Sequence, residues 1–252
     1  MSAFNDIAFN EEVKGKKTQA LIEVMSTFFQ RSIKRILVVG CGSGREAGML
    51  SRAFGADVVG IDLGDDYTFD HEGAAPAKLV MMDAREMNFP DNSFDMVFSF
   101  HTLEHIPGPQ IALAEMSRVL RPGGVYLIGT PNKSRLIGGY TSPYPFHIKV
   151  KWYFQELCKR LTGQWSNEAG AHAGFTLFEL SAHCSSAFGA ATDISELYYR
   201  SLYKRRTKAI NSIIKSGLKN IIFPCVYVAG TKTKDAAAPS PAPTRGTKVT
   251  AP

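Results

Sequence analysis

The stretch Ile36-Leu-Val-Val-Gly-Cys-Gly-Ser-Gly44 decides the fold of this 252-residue chain. Four apolar residues, three of them β-branched, lead into Gly40, Gly42 and Gly44, and Arg45-Glu-Ala47 follows. This pattern predicts a buried strand, a glycine-rich turn and the start of a helix. Glycine lets the backbone adopt conformations that a Cβ would forbid, and a helix amino terminus presents unpaired N–H groups. The stretch therefore predicts a turn that holds a nucleotide-like ligand.

Strand-like and helix-like segments alternate around this turn. Strands are predicted at residues 36–39, 58–61, 78–82, 94–100 and 125–130, and helices at residues 11–31, 45–54 and 111–120. Arg121-Pro-Gly-Gly124 is predicted to end the last of these helices. The alternation predicts an α/β fold with a parallel sheet that is covered on both faces. Farther along we predict a long functional loop, then helices at 148–161, 178–188 and 203–216 and strands at 192–199 and 221–230.

Composition narrows the class of protein. Hydrophobic residues make up 44% of the chain, which is enough for a sizeable core, and no apolar run approaches the roughly 20 residues that span a bilayer. The first residues carry no signal-peptide pattern and the four cysteines are scattered, so we expect a cytoplasmic protein with reduced thiols. Residues 234–252 are rich in Ala and Pro, and we predict a disordered tail.

The charge is modest overall but uneven. The net charge of +6 does not by itself indicate a nucleic-acid partner. Residues 200–219 nevertheless hold seven basic side chains and no acidic one. This segment is either a solvated helix face or a contact for an acidic substrate, a phosphate or a membrane surface.

The glycine turn alone leaves two classes of ligand open. Gly42-x-Gly44-x-x-Ala47 fits the dinucleotide-binding pattern, and Asp62 follows Gly42 by 20 residues, as a ribose-binding acid would. A nicotinamide-dependent oxidoreductase is therefore an alternative.

Further blocks of sequence resemble a known family. They are Val38-Val-Gly-Cys-Gly-Ser-Gly44, Gly60-Ile-Asp62, the segment 82–95, His101-Thr-Leu-Glu-His-Ile106 and the segment 115–124. Their order and spacing resemble the class I S-adenosylmethionine-dependent methyltransferases, particularly the ubiquinone-biosynthesis-type group. The resemblance covers about residues 35–132. It implies a Rossmann-like, doubly wound, mostly parallel seven-stranded sheet whose last strand is antiparallel, in a domain spanning residues 1–233.

The resemblance also implies a cofactor, S-adenosylmethionine, with S-adenosylhomocysteine as its product. Asp62 would accept hydrogen bonds from both ribose hydroxyls, since a carboxylate can bind two donors at once. Asp83 would accept the adenine amino group, and the backbone N–H of Ala84 would meet a ring nitrogen. The full set of cofactor residues implied is Gly40, Cys41, Gly42, Gly44, Asp62, Leu63, Asp83, Ala84, Phe100 and His101. Within it, Cys41 is predicted to pack the turn rather than to react.

One position departs from the family pattern. The family often has an acid two residues before the first glycine, where this chain has Val38. The usual carboxylate partner of the methionine amino group is therefore absent. A catalytically silent domain that still binds S-adenosylmethionine is a second alternative.

The string His101-Thr-Leu-Glu-His105 also matches H-x-x-E-H, an inverted zinc-protease pattern. Here it follows the fourth strand, and Pro107 leaves no room for a long zinc-binding helix, so we expect no metal. In the methyltransferase interpretation His105 is the candidate catalytic residue, because an oxygen or nitrogen acceptor sheds a proton that a nearby histidine can take. Capping or packing is the alternative role for His105, and Glu104 is predicted to be structural.

The acceptor is predicted to be a small molecule or a glycan- or lipid-linked intermediate, methylated on oxygen or nitrogen. Insertions at about residues 133–175 and 200–219 would recognise it. The aromatic-rich stretch after the fifth strand supplies the candidate acceptor-binding residues Tyr140, Tyr144, His147 and Trp152. The sequence contains no Asn/Asp-Pro-Pro-aromatic motif, which disfavours a nucleic-acid base as the acceptor.

Overall fold

A computed structural model of the chain describes residues 2–29, 31–64, 69–136, 146–168 and 170–233. Helices and strands alternate through the first half and then give way to a helical region before the last strand. The helices are α1 Ser2–Phe28, α2 Arg45–Phe54, α3 His71–Ala74, α4 Pro109–Val119, α5 Phe146–Leu161, α6 Leu177–Phe188, α7 Ser195–Leu202, α8 Thr207–Lys215 and α9 Lys219–Ile222. The strands are β1 Arg35–Val39, β2 Asp57–Asp62, β3 Lys78–Met81, β4 Phe94–Phe100, β5 Leu120–Pro131, β6 Thr192–Asp193 and β7 Cys225–Thr231.

The strands form one seven-stranded sheet in the order β3-β2-β1-β4-β5-β7-β6. Strands β1 to β5 pair in parallel, and β7 runs antiparallel to both β5 and β6. This confirms the predicted mostly parallel, doubly wound sheet with an antiparallel last strand. Because the strand order reverses between β1 and β4, the ends of these two strands flank the crevice where ligands bind in such sheets.

Both faces of the sheet are covered, which explains why its strands are apolar throughout rather than alternating. On one face Leu21 of α1, Leu50 of α2 and Tyr198 of α7 belong to one buried cluster. On the other face Leu113 of α4 and Leu180 of α6 belong to a second cluster. The sheet is therefore a rigid platform whose loops carry the site.

The first half of the chain follows the predicted elements closely. Strand β4 and helix α2 have the predicted bounds, and α1 begins earlier than predicted, at Ser2. Helix α4 ends at Val119, next to the predicted stop, but the predicted start of the fifth strand at residue 125 is wrong, because β5 already begins at Leu120. Leu120 pairs with Phe94, and the pairing then shifts register before Met96, so the strand absorbs the turn residues as an irregularity.

The second half contains two larger errors of prediction. The predicted strand at residues 192–199 is wrong beyond Asp193, because α7 begins at Ser195. The Asp193 carboxylate accepts the Ser195 N–H at 2.8 Å, which favours a helix start there. The predicted strand at residues 221–230 instead begins as α9 and becomes β7 only at Cys225.

The predicted basic helix at residues 203–216 is split into a short 3₁₀ turn, Lys204–Arg206, and α8. Two of the seven basic groups in residues 200–219 are paired with acids, since Lys204 meets Glu23 at 2.7 Å and Lys219 meets Glu196 at 2.7 Å. A membrane contact through this segment stays a prediction. No helix among the described ranges combines the length and the apolar character needed to cross a bilayer. The predicted tail, residues 234–252, lies outside the described residues.

Candidate functional site

The glycine turn after β1 is held against β2 by its backbone. The N–H groups of Gly40 and Cys41 both donate to the Ile61 carbonyl, at 2.8 and 3.0 Å. Asp62, the last residue of β2, accepts the Gly42 N–H through Oδ2 at 2.8 Å. The Asp62 carboxylate therefore fixes the turn and stands at its open edge.

Gly40 has a steric reason to be glycine. Its φ is +75°, and an added Cβ would lie 2.5 Å from Thr102 Cβ and overlap the Thr102 Oγ1 and Cγ2 atoms. Thr102 follows β4, which pairs with β1, so the two strand ends approach each other here. The close approach leaves room for the backbone alone.

A cavity of about 170 Å³ opens between this turn and the ends of β2, β3 and β4, and we call it the glycine-turn cavity. Eight residues singled out from the sequence line it: Gly40, Gly42, Asp62, Leu63, Asp83, Ala84, His101 and His105. Sequence reasoning missed six further lining residues: Ile61, Met82, Arg85, Thr102, Ile106 and Pro107. Ile61, Met82 and Thr102 lie within two residues of a strand end, and that position is the signal that could have found them.

Three other candidate cofactor residues do not line this cavity. Cys41 is buried and packs beneath Gly60, and burial raises the pKa of its thiol to about 12. Gly44 faces Leu79 and Ala74, where a Cβ would collide with both side chains. Phe100 contacts the His101 ring from outside the cavity, with ring centroids 4.1 Å apart. Their predicted contacts to a cofactor stay predictions, and their observed contacts are those of packing.

Val38 is also buried, with 2% of its surface exposed, in the apolar cluster of the α1 face. It faces the core, so this position contributes no polar atom to the glycine-turn cavity.

The Asp83 carboxylate is paired with Arg85. The Arg85 Nη2 donates to Asp83 Oδ2 at 2.6 Å, and the Arg85 backbone N–H donates to Oδ1 at 2.8 Å. The hydrogen bond from the Arg85 side chain lowers the pKa of Asp83. Asp83 is therefore a carboxylate at neutral pH and is able to accept a donor at the cavity wall.

His101 has an unusual backbone conformation, and both of its ring nitrogens contact other side chains. It follows β4 with a φ of +54°, which is uncommon for a residue other than glycine. Its Nδ1 lies 3.4 Å from Glu104 Oε1, and its Nε2 lies 3.5 Å from Cys225 Sγ. Burial disfavours the imidazolium, but Cys225 and Glu104 outweigh it and raise the pKa of His101 to about 9. The imidazolium form is thus favoured at neutral pH.

Glu104 lies on a 3₁₀ turn, Leu103–His105, and its side chain is 1% exposed. Its Oε1 also lies 3.9 Å from His105 Nε2, whereas its Oε2 has no hydrogen-bond partner among the described residues. His105 is half exposed, and its ring lies 4.6 Å from the His172 ring. The described part of the chain holds no group of three or more His, Cys, Asp or Glu side chains arranged for a metal ion.

A second cavity, of about 340 Å³, lies on the other side of His101, and we call it the aromatic cavity. Trp152, Tyr153 and Glu156 of α5 form one wall, and Pro131, Pro224 and Cys225 form the opposite wall. His101, Arg135 and His172 complete the lining. Arg135 is held by Glu156, with Nη2 and Oε2 3.6 Å apart. Of the residues that the structure describes, His101 is the one that lines both cavities.

The candidate acceptor residues fall in different places. Trp152 lines the aromatic cavity, whereas His147 is exposed at the start of α5 and does not line it. Tyr140 and Tyr144 lie outside the described residues. Sequence reasoning missed Cys225 and His172, which join the site from distant parts of the chain and belong to no motif.

The methyltransferase domain family matches residues 37–128 of the chain. Fatty-acid O-methyltransferase of Mycolicibacterium smegmatis is 39% identical over 98 residues, which are 37% of this chain and 36% of that protein. The 2-methyl-6-phytyl-1,4-hydroquinone methyltransferase of Synechocystis sp. is 28% identical over 140 residues, which are 54% of this chain and 41% of that protein. The chain thus spans less than half the length of these relatives.

Among solved structures, the plantazolicin methyltransferase BpumL in complex with a triazolic desmethylPZN analog and SAH has the same fold. The TM-score is 0.61 at 14% identity, and the alignment covers 92% of this chain and 90% of BpumL. All residues that line the glycine-turn cavity fall inside the matched segment 37–128. Residues 37–128 thus match the methyltransferase domain family, and the chain shares its fold with a solved methyltransferase.

Proposed function

We propose that this protein transfers a methyl group from S-adenosylmethionine to an oxygen atom of a small, largely apolar acceptor. The cofactor would occupy the glycine-turn cavity and the acceptor the aromatic cavity. The observation that carries the proposal is that His101, alone among the described residues, lines both cavities. Methyl transfer from a sulfonium is an in-line displacement, so two ligands that meet at one residue are what the reaction requires.

The residues of the glycine-turn cavity fit S-adenosylmethionine. Asp62 offers a carboxylate beside a backbone that Gly40 and Gly42 leave uncovered, which suits a ribose. Asp83 and Ala84 offer an acceptor and a backbone donor at the next strand end, where an adenine would lie. When bound, the cofactor supplies the electrophilic methyl group.

The aromatic cavity supports an apolar acceptor. Trp152, Tyr153 and two prolines make most of its wall apolar, and its few polar groups are already engaged with one another, as Arg135 is with Glu156. The two relatives named above act on a phytyl hydroquinone and on a fatty acid. Both names join an oxygen-bearing group to a long hydrocarbon, and we extend that class of molecule to the acceptor of this protein.

Calorimetry with S-adenosylhomocysteine and with NAD tests the cofactor. We expect S-adenosylhomocysteine to bind. Asp62→Ala should lower the affinity for S-adenosylhomocysteine about a hundredfold, because hydrogen bonds to the charged carboxylate are lost. Asp57→Ala is the matched control, since Asp57 lies at the opposite, exposed end of the same strand. Binding of NAD without binding of S-adenosylhomocysteine would favour the oxidoreductase alternative and end the methyltransferase proposal.

Transfer of a labelled methyl group to a panel of acceptors tests the reaction. The panel would hold a prenylated hydroquinone, a fatty acid and a sterol, and we expect product from a member with an acidic oxygen. Trp152→Ala should raise the KM for that acceptor without changing cofactor affinity, while Phe154→Ala, on the same helix but outside the cavity, should not. Cofactor binding with no transfer to any member would favour the catalytically silent alternative that Val38 suggests.

A further inference from the structure

Three side chains form a line from the core to the aromatic cavity. Glu104 Oε1 lies 3.4 Å from His101 Nδ1, and His101 Nε2 lies 3.5 Å from Cys225 Sγ. They come from the 3₁₀ turn, the end of β4 and the first residue of β7. An acid, a base and a thiol in this order are the arrangement by which proteins activate a nucleophilic sulfur.

The sulfur is the end of this line that faces a ligand. Both ring nitrogens of His101 have a partner, Glu104 on one side and Cys225 on the other, so the imidazole has no further site for a proton from the cavity. Cys225 lines the aromatic cavity directly. Within this line of three side chains, Cys225 is therefore the group placed to take a proton from an acceptor molecule in the aromatic cavity.

The buried acid favours the charged form of the pair. The Glu104 side chain is 1% exposed and one of its oxygens has no hydrogen-bond partner among the described residues. A buried carboxylate needs a compensating positive charge, which the His101 imidazolium supplies. An imidazolium in turn stabilises a neighbouring thiolate, as in proteins whose cysteines are reactive.

The other groups around the sulfur act in the same direction or are neutralised. Burial of the sulfur disfavours the thiolate, but the positive charges of His101, Lys17 and Arg135 together favour it more. The nearest acid on α5, Glu156, is paired with Arg135 and with Arg160. From α7, the Tyr199 hydroxyl accepts the Cys225 backbone N–H at 3.0 Å and leaves the sulfur to His101. His172 faces the same cavity.

We propose that Cys225 is a reactive thiolate and that it accepts the proton of the acceptor hydroxyl during methyl transfer. This inference rests on the proposed function. The acceptor O–H bond breaks as the new O–CH₃ bond forms, the S–CH₃ bond of the sulfonium breaks, and the proton moves to Cys225 Sγ. His101 and Glu104 are positioning residues that hold the sulfur ionised. His105 lines only the glycine-turn cavity and takes no part in this transfer.

Thiol labelling tests the ionisation without any assay of activity. The protein is treated with iodoacetamide across a range of pH, and mass spectrometry follows Cys225 and Cys158 in the same sample. Cys158, exposed on α5, is the internal control for an ordinary thiol. We expect the midpoint of the labelling profile of Cys225 to lie about one pH unit or more below that of Cys158.

The positioning residues give the second readout. Glu104→Gln and His101→Gln should each move the Cys225 midpoint upward and leave the Cys158 midpoint in place. The proposal is overturned if Cys225 in the unmodified protein titrates at or above the pH of Cys158, or is never labelled while Cys158 is. Both of these results come from the unmodified protein, so they do not depend on whether a variant folds.

Kinetics then separate this inference from the proposed function. Cys225→Ser should lower kcat by about a hundredfold, the usual contribution of a positioned proton acceptor, while the affinity for S-adenosylhomocysteine is unchanged. A Cys225→Ser protein with normal kcat would refute the proton transfer even if the thiolate is real. If the unmodified protein binds no S-adenosylhomocysteine at all, the proposed function fails, and the labelling profile still decides whether Cys225 is a thiolate.

Discussion

Gly40→Ala is the substitution whose effect the structure specifies most closely. The added Cβ meets two unfavourable conditions, a φ of +75° and the Thr102 side chain, whose Cβ would be only 2.5 Å away. A left-handed backbone conformation costs a residue with a Cβ about 1–2 kcal/mol. Forcing an extra methyl group into a filled space costs about 1–3 kcal/mol more. We expect the free energy of unfolding to fall by the sum of the two, about 2–5 kcal/mol.

Gly55→Ala measures the backbone contribution alone. Gly55 ends α2 with a φ of +59°, and a Cβ built there meets no atom within 4 Å. It should therefore lose only the backbone part, about 1–2 kcal/mol. Both substitutions restrict the unfolded chain in the same way, so that effect cancels in the comparison. The difference between the two variants measures the contact with Thr102.

Urea unfolding, with the midpoint and slope fitted for each variant, supplies the free energies. Thr102→Gly removes all three atoms that the new methyl group would meet. In the Thr102→Gly background, Gly40→Ala should therefore cost only the backbone part of the free energy of unfolding. Gly40→Ala should also weaken the binding of S-adenosylhomocysteine, because the glycine turn must shift to make room for the new methyl group. If Gly40→Ala is no more destabilised than Gly55→Ala, the close approach of the two strand ends is not a constraint and the steric reasoning is wrong.

Three further predictions concern stability. Lys232→Met should lower the free energy of unfolding by about 1–3 kcal/mol in urea titrations, because the buried amine donates to two carbonyls at the end of α4 and the start of β5, which would lose their partner; an unchanged midpoint would contradict this. Burial alone would raise the pKa of Asp95. Hydrogen bonds from Arg121 and from two backbone N–H groups lower it by more, so the pKa of Asp95 lies below its ordinary value. Its stabilisation should be complete above about pH 4, the ordinary pKa of the unfolded carboxyl, and should disappear as the pH falls through the lower folded value. Asp95→Asn should flatten the acid side of the stability curve, and an equal acid dependence in both proteins would refute the role of Asp95. Thr176→Ala should cost about 1 kcal/mol in thermal or urea unfolding, because Thr176 and Glu179 cap the start of α6 reciprocally; Glu179→Gln, which keeps a side-chain acceptor, should lose less.

The first half of the fold was predictable because its elements are local and strongly patterned. The apolar run 36–39 can only be a buried strand before three glycines, and the strand at Phe94–Phe100 has the predicted bounds. The residues of the glycine-turn cavity lie directly after such strands, so finding the strands also found Asp62, Asp83 and His101. Periodicity and turn residues were sufficient there.

The second half was harder because tertiary contacts override local preference. Residues 195–199 contain two adjacent tyrosines, which favour a strand, yet both are buried in a helix that packs on α1 and β7. The aromatic cavity was unpredictable for a related reason. Cys225 and His101 are 124 positions apart, and nothing in either local sequence indicates that they meet.

The place of β7 in the sheet has a consequence for how the protein is made. The residues that line the glycine-turn cavity lie between positions 40 and 107, whereas Cys225 begins the final described strand, which inserts between β5 and β6. A growing chain on the ribosome therefore completes the segment for the first cavity more than a hundred residues before it contains the sulfur. If the proposed roles hold, the segment that binds the methyl donor is made well before the group that receives the proton. Synthesis of the last strand then completes the sheet and supplies the sulfur in one step.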